Sequence, residues 1–332
     1  MTRFEISNLN SRRGSAVIEY RPFRNSDPPQ LVRLWHESGL GRGAARGFSY
    51  DALDRLLLGQ HYFDAAGLIV ACDGPQVVGF VHAGFRGDDT GGWIERTMGA
   101  ICAVIVHPTY RRHGIGRELL ARGEAYLRQL GATSIQIGAA PPCDSFYHGL
   151  YGGSEVSGFL ESSGDAAPFL AALGYQPAQR FVVLQRNLKQ GDPISFRLSL
   201  IRRKMETFIF ATPEAPTFWW FSRFGRLENV QFRLVPKGGG DAVAAVTVSG
   251  MDLYVEPWGE RAIGLSELVV KDVSRRQGHA QTLLIEVIRR MRQEQVSLAE
   301  AHIAEENTAA IATFKSVGFQ QIDCGVVYRQ PG

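Results

Sequence analysis

The stretch that decides the fold is Val106 to Gly116, which reads Val-His-Pro-Thr-Tyr-Arg-Arg-His-Gly-Ile-Gly. An apolar run beginning at Ala100 leads into it, and a segment with leucines at helical spacing follows it. Pro108 ends the apolar run, and Gly114 and Gly116 suit a tight turn because glycine adopts backbone angles that other residues avoid. The pattern therefore predicts a strand, a short glycine-containing turn and a long amphipathic helix, in that order.

The same pattern recurs 164 positions later in the chain. The matching residues are Val106, Arg111, Arg112, Gly114, Leu119 and Leu120 in the first copy, and Val270, Arg275, Arg276, Gly278, Leu283 and Leu284 in the second. Ala280 stands where the first copy has Gly116, so both copies keep a very small residue there. Two short apolar runs separated by a turn precede each copy, which predicts a β-hairpin. A repeat of this kind indicates a duplicated structural unit.

The length of 332 residues is about twice that of an ordinary domain, so the sequence predicts two compact domains. The hydrophobic fraction of 45% and the charged fraction of 21% lie in the range of globular proteins. The most polar and turn-rich break near the middle is Asn187 to Pro193. We therefore predict one domain over residues 1–190 and a second over residues 191–332.

Charge and hydropathy argue against two classes of partner. The 36 Lys and Arg are balanced by 33 Asp and Glu, and a net charge of +3 gives no support for a nucleic-acid partner. No run reaches the roughly 18 apolar residues of a membrane span, and Met1 to Ser15 lacks the apolar core of a signal peptide. The sequence therefore predicts a cytoplasmic protein without a membrane partner, and it leaves the oligomeric state open.

The cysteines give no sign of a disulfide framework or a metal site. There are four, Cys72, Cys102, Cys143 and Cys324, and they are widely spaced without a C-x-x-C pair. We therefore expect no bound metal.

A small-residue turn between a strand and a helix suits an anionic ligand. Unpaired N–H groups of the first helical turn point outward there, and the helix dipole adds partial positive charge. Gly114 and Gly116 would let a pyrophosphate approach the backbone, and adjacent arginines would add charge-assisted hydrogen bonds. A tight turn without a ligand would explain one copy, but two copies in matching context favour a phosphate site. Neither copy has the GK[ST] of a P-loop or a full G-x-G-x-x-G.

At these residues the sequence resembles the GNAT N-acetyltransferases, whose signature is V-x-P-x-x-[RQ]-x-x-G-x-G/A after a strand. The first copy matches every element, and the second has Asp272 where proline is usual. A second family element, N-x-x-A-x-x-x-[YF]-x-x-x-G-[FY], is complete in the second half as Asn307, Ala310, Phe314, Gly318 and Phe319. The first half keeps only Gly174 and Tyr175 of it. The resemblance implies an α/β fold (α+β type) with two tandem GNAT folds, each a mixed, mainly antiparallel sheet flanked by helices.

The resemblance also implies acetyl-CoA as a co-substrate and a small-molecule or peptide amine as the acceptor. The strand before each turn would bind the pantetheine through Val104, Ile105 and Val106 in the first half and Leu268, Val269 and Val270 in the second. The turns would hold the pyrophosphate through Arg111, Arg112, His113, Gly114, Ile115 and Gly116, and through Arg276, Gln277, Gly278, His279, Ala280 and Gln281. Asn307 completes the cofactor-binding set that the family element implies.

Direct transfer to an amine requires a base, because an alkylammonium with a pKa of about 10 is a poor nucleophile at neutral pH. Glu267, on the strand just before Leu268, is the first candidate, and a surface or structural carboxylate is the alternative interpretation. Its position leaves open which face of the sheet its side chain occupies. Glu95, in the loop before the first-half strand, is a weaker candidate because that strand itself carries no acid.

The residue that protonates the leaving thiolate is not evident. Many relatives use a tyrosine at the position of Phe314, whose counterpart in the first half is Leu170. Tyr147, in the inserted segment Pro141 to Gly164, is the catalytic candidate of the first half, with packing as the alternative role. We predict the second half as the reaction centre, because it keeps the complete family element and a strand acid. The rival hypothesis is a non-catalytic acetyl-CoA-binding module, with one or both copies serving as scaffold or sensor.

Three further expectations concern packing. The aromatic run Phe218 to Phe221 should pack under the second sheet, and Arg289, Arg290 and Arg292 should form a solvated helix face. Each half shows one clear strand after its last helix where the family has two, so the strand-like run Ile194 to Ile201 is expected either to complete the first sheet or to begin the second.

Overall fold

The computed structural model describes residues 17–153, 155–193, 196–211, 213 and 216–331. Met1 to Ser15, on which the prediction about a signal peptide rests, lies outside the described residues, as does Ile194. Within the described part of the chain, no helix is both long enough and apolar enough to cross a membrane. The cytoplasmic location stays a prediction.

The strands of the described chain form one continuous sheet. In chain order they are β1 (Ile18–Pro22), β2 (Leu68–Asp73), β3 (Gln76–Gly87), β4 (Ile94–Val106), β5 (Ser134–Ile137), β6 (Phe159–Leu160), β7 (Gln176–Asn187), β8 (Met205–Phe210), β9 (Asn229–Pro236), β10 (Ala244–Gly250), β11 (Ala262–Val270), β12 (Leu298–Ala304) and β13 (Gln320–Arg329). Across the sheet the order is β1-β2-β3-β4-β5-β13-β7-β12-β11-β10-β9-β8, and β6 pairs with β13 off this path. Only β4–β5 and β11–β12 are parallel among the described pairs, which confirms the predicted mixed, mainly antiparallel architecture.

The helices lie on both faces of this sheet. They are α1 (Pro28–Glu37), α2 (Tyr50–Leu53), α3 (Ile115–Gln129), α4 (Ala166–Ala171), α5 (Phe196–Lys204), α6 (Phe218–Phe224), α7 (Val255–Trp258), α8 (His279–Gln293) and α9 (Thr308–Ser316). The two long helices, α3 and α8, each bury a leucine-containing stripe against the strands of their own half. Leu119 and Leu283, which are equivalent in the two copies, are completely buried.

The predicted duplication is present in the order of the elements. In the first half a hairpin (β2, β3) is followed by β4, the turn, α3 and a parallel strand, β5. In the second half the hairpin (β9, β10), β11, the turn, α8 and β12 repeat that arrangement.

The last strand of each half is shared with the other half. β13 lies between β5 and β7, and β7 lies between β13 and β12, where it pairs with β12 at every position from Leu298–Asn187 to Ala304–Phe181. Val182 and Leu184 of β7 belong to the apolar core of the second half, whereas Val326 of β13 belongs to a core of the first. This exchange explains why each half shows only one strand after its last helix. The boundary near residue 190 stays a prediction.

The expectation of a strand over Ile194 to Ile201 is wrong. The described part of this run belongs to helix α5, in which Leu198 and Ile201, three residues apart, pack on the core of the second half. Phe196 and Leu200 remain exposed on the other side of the helix. The spacing of the two inward residues is helical, and β8 is the additional strand at the edge of the sheet.

The expectation of a solvated arginine face on α8 is wrong for two of its three members. Arg289 and Arg292 both form ion pairs with Asp192, in the connection between the halves, and Arg186 of β7 joins them. Arg290 does remain exposed. The connection is therefore bound to α8 by a network of three guanidinium groups around one carboxylate.

The aromatic run is divided between two environments. Trp220 is buried, as expected, but Phe218 and Phe221 are each 45% exposed and lie against the ring of His61 in the first half. The expectation that the aromatic run packs under the second sheet is therefore wrong for Phe218 and Phe221. Helix α6 lies between the halves and contacts both.

Candidate functional site

The two glycine-containing turns have the same backbone conformation. Each begins with a single 3₁₀ turn, Pro108–Tyr110 or Asp272–Ser274. Two residues then adopt positive φ in each copy: Arg112 at 69° and Gly114 at 83°, and Arg276 at 59° and Gly278 at 85°. The duplication therefore extends from the sequence to the individual dihedral angles of the turn.

Each turn leads directly into the N-terminus of a long helix. Gly114 is the N-cap of α3 and Gly278 is the N-cap of α8, and neither can cap its helix with a side chain. The first N–H groups of both helices therefore lack a side-chain acceptor from the N-cap, in a region of partial positive charge. This arrangement suits a phosphate group.

Arg111 stabilises the first turn. Its guanidinium donates to the carbonyl oxygens of Val106 at 3.0 Å and Ser38 at 2.6 Å, and to the Asp165 carboxylate at 2.8 Å. Arg112 and His113 are exposed, so their side chains are accessible to an anion at the turn. Ile115 is buried, so within the predicted set it can offer only its backbone.

Several predicted residues of the second turn hold the surrounding elements together. His279 Nδ1 donates to the carbonyl oxygen of Ser274 at 3.1 Å, and Gln277 Nε2 donates to that of Val273 at 3.0 Å. Gln281 Nε2 donates to Ser316 Oγ at 2.7 Å and thereby joins α8 to α9.

Asn307 caps helix α9. Its Oδ1 accepts from the backbone N–H of Ala310 at 3.1 Å. The side chain has this structural role whether or not it also contacts a cofactor.

The parallel strand pairs separate before they reach the turns. β4 pairs with β5 only from Met98–Ser134 to Ile101–Ile137, and β11 pairs with β12 only from Ala262–Leu298 to Gly264–Glu300. The predicted pantetheine-binding residues lie beyond these last pairs: Val104, Ile105 and Val106 on β4, and Leu268, Val269 and Val270 on β11. None of the described strands pairs with their backbone groups on this edge, so an extended amide chain could pair with them.

A β-bulge determines the direction of the Glu267 side chain. The register of β10 against β11 shifts between Ala245 and Thr247, and Glu267 has φ of 52°. Its Oε2 accepts from Thr247 Oγ1 at 2.9 Å and from Trp220 Nε1 at 3.1 Å. Thr247 is paired with Ser266, so regular alternation would put Glu267 on the opposite face from both. The left-handed residue at the bulge turns the carboxylate onto their face.

An ion pair that the sequence did not predict lies on helix α6, close to the residue that contacts Glu267. Arg223, one turn after Trp220 on α6, forms an ion pair with the buried Asp144 of the first half. Burial, together with the charges of Asp144 and Glu267, raises the pKa of Glu155 to about 8. Asp144 and Glu155 lie in the inserted segment Pro141 to Gly164, whose acidic residues were the available signal for them.

The first half has a corresponding β-bulge in β4, and buried aromatic side chains cover it. The register of β3 against β4 shifts between His82 and Ala83, opposite Cys102, and burial raises the pKa of the Cys102 thiol. Tyr147 is only 2% exposed and stacks on Trp35 with ring centroids 6.0 Å apart. Its hydroxyl has no hydrogen-bond partner among the described residues.

The remaining acid–base positions considered in the sequence are Glu95 and the tyrosine position of the family element. The expectation that Glu95 lies in a loop is wrong, because β4 begins at Ile94 and Glu95 is paired with Arg86 of β3. Its Oε2 accepts from Arg86 Nε at 3.0 Å. Phe314 and Leu170, at the tyrosine position of the family element, are both buried. Among the described residues, no group of three or more His, Cys, Asp or Glu side chains could hold a metal ion.

The sequence matches a known family in both halves. Residues 31–151 and 198–319 match the family described as the acetyltransferase (GNAT) family. A mycothiol acetyltransferase from Propionibacterium freudenreichii subsp. shermanii is 32% identical over 161 residues, which is 47% of this chain and 45% of that protein. The chain therefore matches less than half the length of this relative.

Two solved structures resemble nearly the whole length of this chain. A tandem GNAT protein from the clavulanic acid biosynthesis pathway, 18% identical, has a TM-score of 0.65 over 94% of this chain and 97% of that one. A glucosamine N-acetyltransferase region of a fungal multi-domain β-N-acetylglucosaminidase, 16% identical, has a TM-score of 0.69 over 98% of this chain and 39% of that one. At these identities the likeness concerns the fold. Together with the family match in both halves, it shows that the chain belongs to the GNAT acetyltransferase family and carries two GNAT folds in tandem.

Proposed function

We propose that this protein transfers an acetyl group from acetyl-CoA to an amine, and that the reaction takes place in the second half. The observation that carries this proposal is the bulge at Glu267. It turns the Glu267 carboxylate toward Thr247 and Trp220, on the part of β11 that lies beyond its last pair with β12 and leads to the Gly278 turn.

The cofactor would be held by the chain in the same way in both halves. The free edges at residues 104–106 and 268–270 would pair with the pantetheine amides. The turns at residues 111–116 and 276–281 would bind the pyrophosphate at the N-termini of α3 and α8. Bound acetyl-CoA supplies the acetyl thioester.

Glu267 would act as the general base. Both of its hydrogen bonds with described side chains go to Oε2, which leaves Oε1 to take the proton from the substrate ammonium. The neutral amine then attacks the thioester carbonyl, the C–S bond breaks, and the nitrogen loses a second proton as the amide forms. That proton balances the charge of the departing thiolate, which leaves as the thiol of CoA. Holding the two reactants together contributes up to roughly 7 to 11 kcal/mol to the lowering of the barrier. Phe314 and Leu170 have no hydroxyl, so the thiolate proton does not come from that position.

The first half would bind acetyl-CoA without an acceptor of its own. This second role is favoured by one observation, the burial of Tyr147 and Phe146 at the bulge opposite Cys102. A Cβ placed on Gly84 would lie 2.6 Å from the Phe146 ring, so this face of the sheet is filled.

Acetyl-CoA turnover over a panel of amines tests the proposal, with Glu267→Gln and Tyr147→Phe compared at several pH values. We expect Glu267→Gln to lower kcat/KM by about 10² to 10⁴, with a residual rate that climbs with pH as free amine accumulates. Tyr147→Phe should retain the wild-type rate. The reverse pattern, with wild-type kcat/KM for Glu267→Gln and a large loss for Tyr147→Phe, would move the chemistry to the first half.

A further inference from the structure

Strand β8 forms one of the two outer edges of the sheet. It pairs with β9 on one side, and none of the described strands pairs with it on the other. An edge of this kind presents a row of backbone N–H and C=O groups that can pair with the backbone of another chain.

Three consecutive apolar side chains of β8 are exposed. The exposed fraction is 45% for Phe208, 49% for Ile209 and 40% for Phe210. Because successive side chains of a strand point to opposite faces, apolar surface lies on both faces of the sheet at this edge. Helix α5 leads directly into β8 and contacts it, and its Phe196 and Leu200 are exposed as well. The edge therefore has the composition of a surface that another strand covers.

The opposite edge of the sheet, β1, is protected against strand pairing. Glu19 and Arg21 place charges of both signs along it, and Pro22 has no backbone N–H to donate. Strand β8 has no proline, no bulge in its pairing with β9 and a single charged residue, Glu206. Pairing of β8 with β1 of another copy would build an open-ended chain of molecules, and the charges and proline of β1 oppose it. Pairing of β8 with β8 of a second copy closes on a dimer.

The alternation of side chains along β8 restricts how two copies can pair. Ile209 is paired with Phe232, a core residue of the second half, so it points to the face of the sheet that α8 covers. Glu206, Phe208 and Phe210 point to the opposite face. A twofold axis perpendicular to the sheet keeps the two faces apart, so each residue must meet a residue of its own face. With the axis at Phe208, residues 206–210 of each copy all gain a partner.

The charges on the two strands are complementary in this register. Glu206 of one copy would lie opposite Phe210 of the other. The guanidinium of Arg233, on β9, lies 4.1 Å from the centroid of the Phe210 ring, so the glutamate of the second copy would meet a positive charge there. The twofold axis makes this contact twice.

We propose that the protein forms a homodimer in which the β8 strands of two copies pair antiparallel around a twofold axis at Phe208. The two sheets then become continuous. The two Phe208 rings form a cross-strand aromatic pair, and Ile209 of each copy lies opposite Thr207 of the other. Strands β9 and β10 separate β8 from β11, so the interface lies roughly 14 Å from the strand of Glu267. The dimer is thus independent of the proposed acetyl transfer.

Sedimentation velocity of the full chain over a range of concentrations tests the association. We expect the wild type to form a species with twice the mass of the chain, and Phe208→Lys to sediment as single chains, because two like charges would face each other at the axis. The control is Ile322→Lys, which changes a similarly exposed residue on a strand in the interior of the sheet and should remain a dimer. Far-UV circular dichroism checks that both variants are folded.

Cysteine cross-linking tests the register. Directly opposite residues of antiparallel strands have Cα atoms about 4.5 to 5.5 Å apart, which a disulfide can bridge. Phe208→Cys should therefore give a disulfide-linked dimer when dissolved oxygen and a copper catalyst oxidise the thiols. Glu206→Cys alone should not, because its two copies would lie roughly 13 Å apart along the strands. A mixture of Glu206→Cys and Phe210→Cys chains should cross-link, and the wild type controls for the native cysteines.

A wild type that sediments as a single chain at every concentration would overturn the proposal. A dimer that persists in Phe208→Lys would place the interface on another surface, and failure of Phe208→Cys to cross-link would contradict the register. A mass that grows beyond two chains with concentration would show open-ended pairing instead of a closed dimer.

Discussion

The indole Nε1 of Trp220 donates a hydrogen bond of 3.1 Å to Oε2 of Glu267. Trp220 is buried on α6, whereas Glu267 is exposed on β11, so a fixed group restrains a side chain that would otherwise be mobile. Ordering a glutamate side chain costs up to about 2 kcal/mol of conformational entropy. The helix between the halves therefore fixes the carboxylate in the position that its proposed role as a base requires.

Removing the indole donor should weaken catalysis without weakening cofactor binding. Trp220→Phe keeps an aromatic ring in the buried position and removes only the N–H group, and we expect kcat/KM to fall about tenfold. The KM for acetyl-CoA should not change. The control is Trp258→Phe, which removes an indole N–H bound at 3.0 Å to the carbonyl oxygen of Arg42. Equal activity of the two variants would show that the indole of Trp220 does not position the base.

A negative charge introduced at either turn should abolish CoA binding in that half and leave the other half able to bind. Titration of the wild type with CoA should give about two sites per chain, and Gly114→Glu or Gly278→Glu should each leave one, because a carboxylate would repel the pyrophosphate. A Cβ at Gly114 meets nothing within 4 Å, so the substitution leaves the packing intact. Both glycines have positive φ, which makes any side chain there strained.

The control for this strain is Gly239→Glu, in the turn between β9 and β10. Gly239 also has positive φ, at 86°, and open space around its Cβ. This variant should keep both sites. Loss of CoA binding in all three variants would point to a general effect of charge or backbone strain, and unchanged binding in Gly114→Glu and Gly278→Glu would show that the loops are turns only.

The parts of the fold that the sequence predicted are those determined by local patterns. The turn at Gly114 could be identified because its glycines and the following leucines lie within about twenty residues, and its repetition at Gly278 removed the ambiguity. The exchange of β7 and β13 could not be identified, because either strand satisfies the same alternation of apolar residues beside either partner. Pairing across more than one hundred residues of chain leaves no local signal.

The residues of the candidate site also fall into those that local sequence patterns predicted and those that they did not. Glu267 was predicted because it lies on the strand that carries the family signature, but its face was undetermined, since a bulge reverses the alternation on which a sequence argument depends. Asp144 and Arg223 were missed, because their pairing joins an inserted segment to a helix that the sequence analysis interpreted only as packing. Tyr147 was singled out by residue type, and its burial follows from the stacking on Trp35.

The connection between the halves should contribute measurably to stability through Asp192. Burial by itself would raise the pKa of Asp192, but its hydrogen bonds with Arg289 and Arg292 hold it below the ordinary value. The stabilisation is thus present at neutral pH and is lost as pH falls through the lowered pKa. Asp192→Asn leaves the buried Arg186 without its counter-ion, and we expect the free energy of unfolding to fall by about 3 kcal/mol.

Urea unfolding at pH 7 measures this effect, with Asp241→Asn as the control. Asp241 is exposed and pairs with Lys271 at the surface, where solvent screens the ion pair, so its removal should change the free energy of unfolding much less than Asp192→Asn does. Equal changes for the two variants would mean that the network around Asp192 contributes no more than an ordinary surface ion pair.

His82 should make the protein sensitive to mild acid. Its side chain is completely buried beside Phe146 and Tyr147, and neither ring nitrogen has a hydrogen-bond partner among the described residues. Burial lowers the pKa of His82 to about 3, against the opposing charge of Asp64. The unfolded chain therefore takes up a proton on this residue below pH 6.5, whereas the folded chain does not until about pH 3.

It follows that the free energy of unfolding should decrease as pH falls from 6.5, with a contribution from His82 of up to about 1.4 kcal/mol per pH unit. His82→Leu removes this contribution and also removes two unsatisfied nitrogen atoms, so its advantage over the wild type should widen between pH 7 and pH 5 by about 2 kcal/mol. Urea unfolding at half-unit pH intervals measures the difference, with His113→Leu, at an exposed histidine, as the control. If the curves of the wild type and His82→Leu run parallel over this range, His82 is protonated in the folded protein, and its pocket must then contain a group that stabilises the charge.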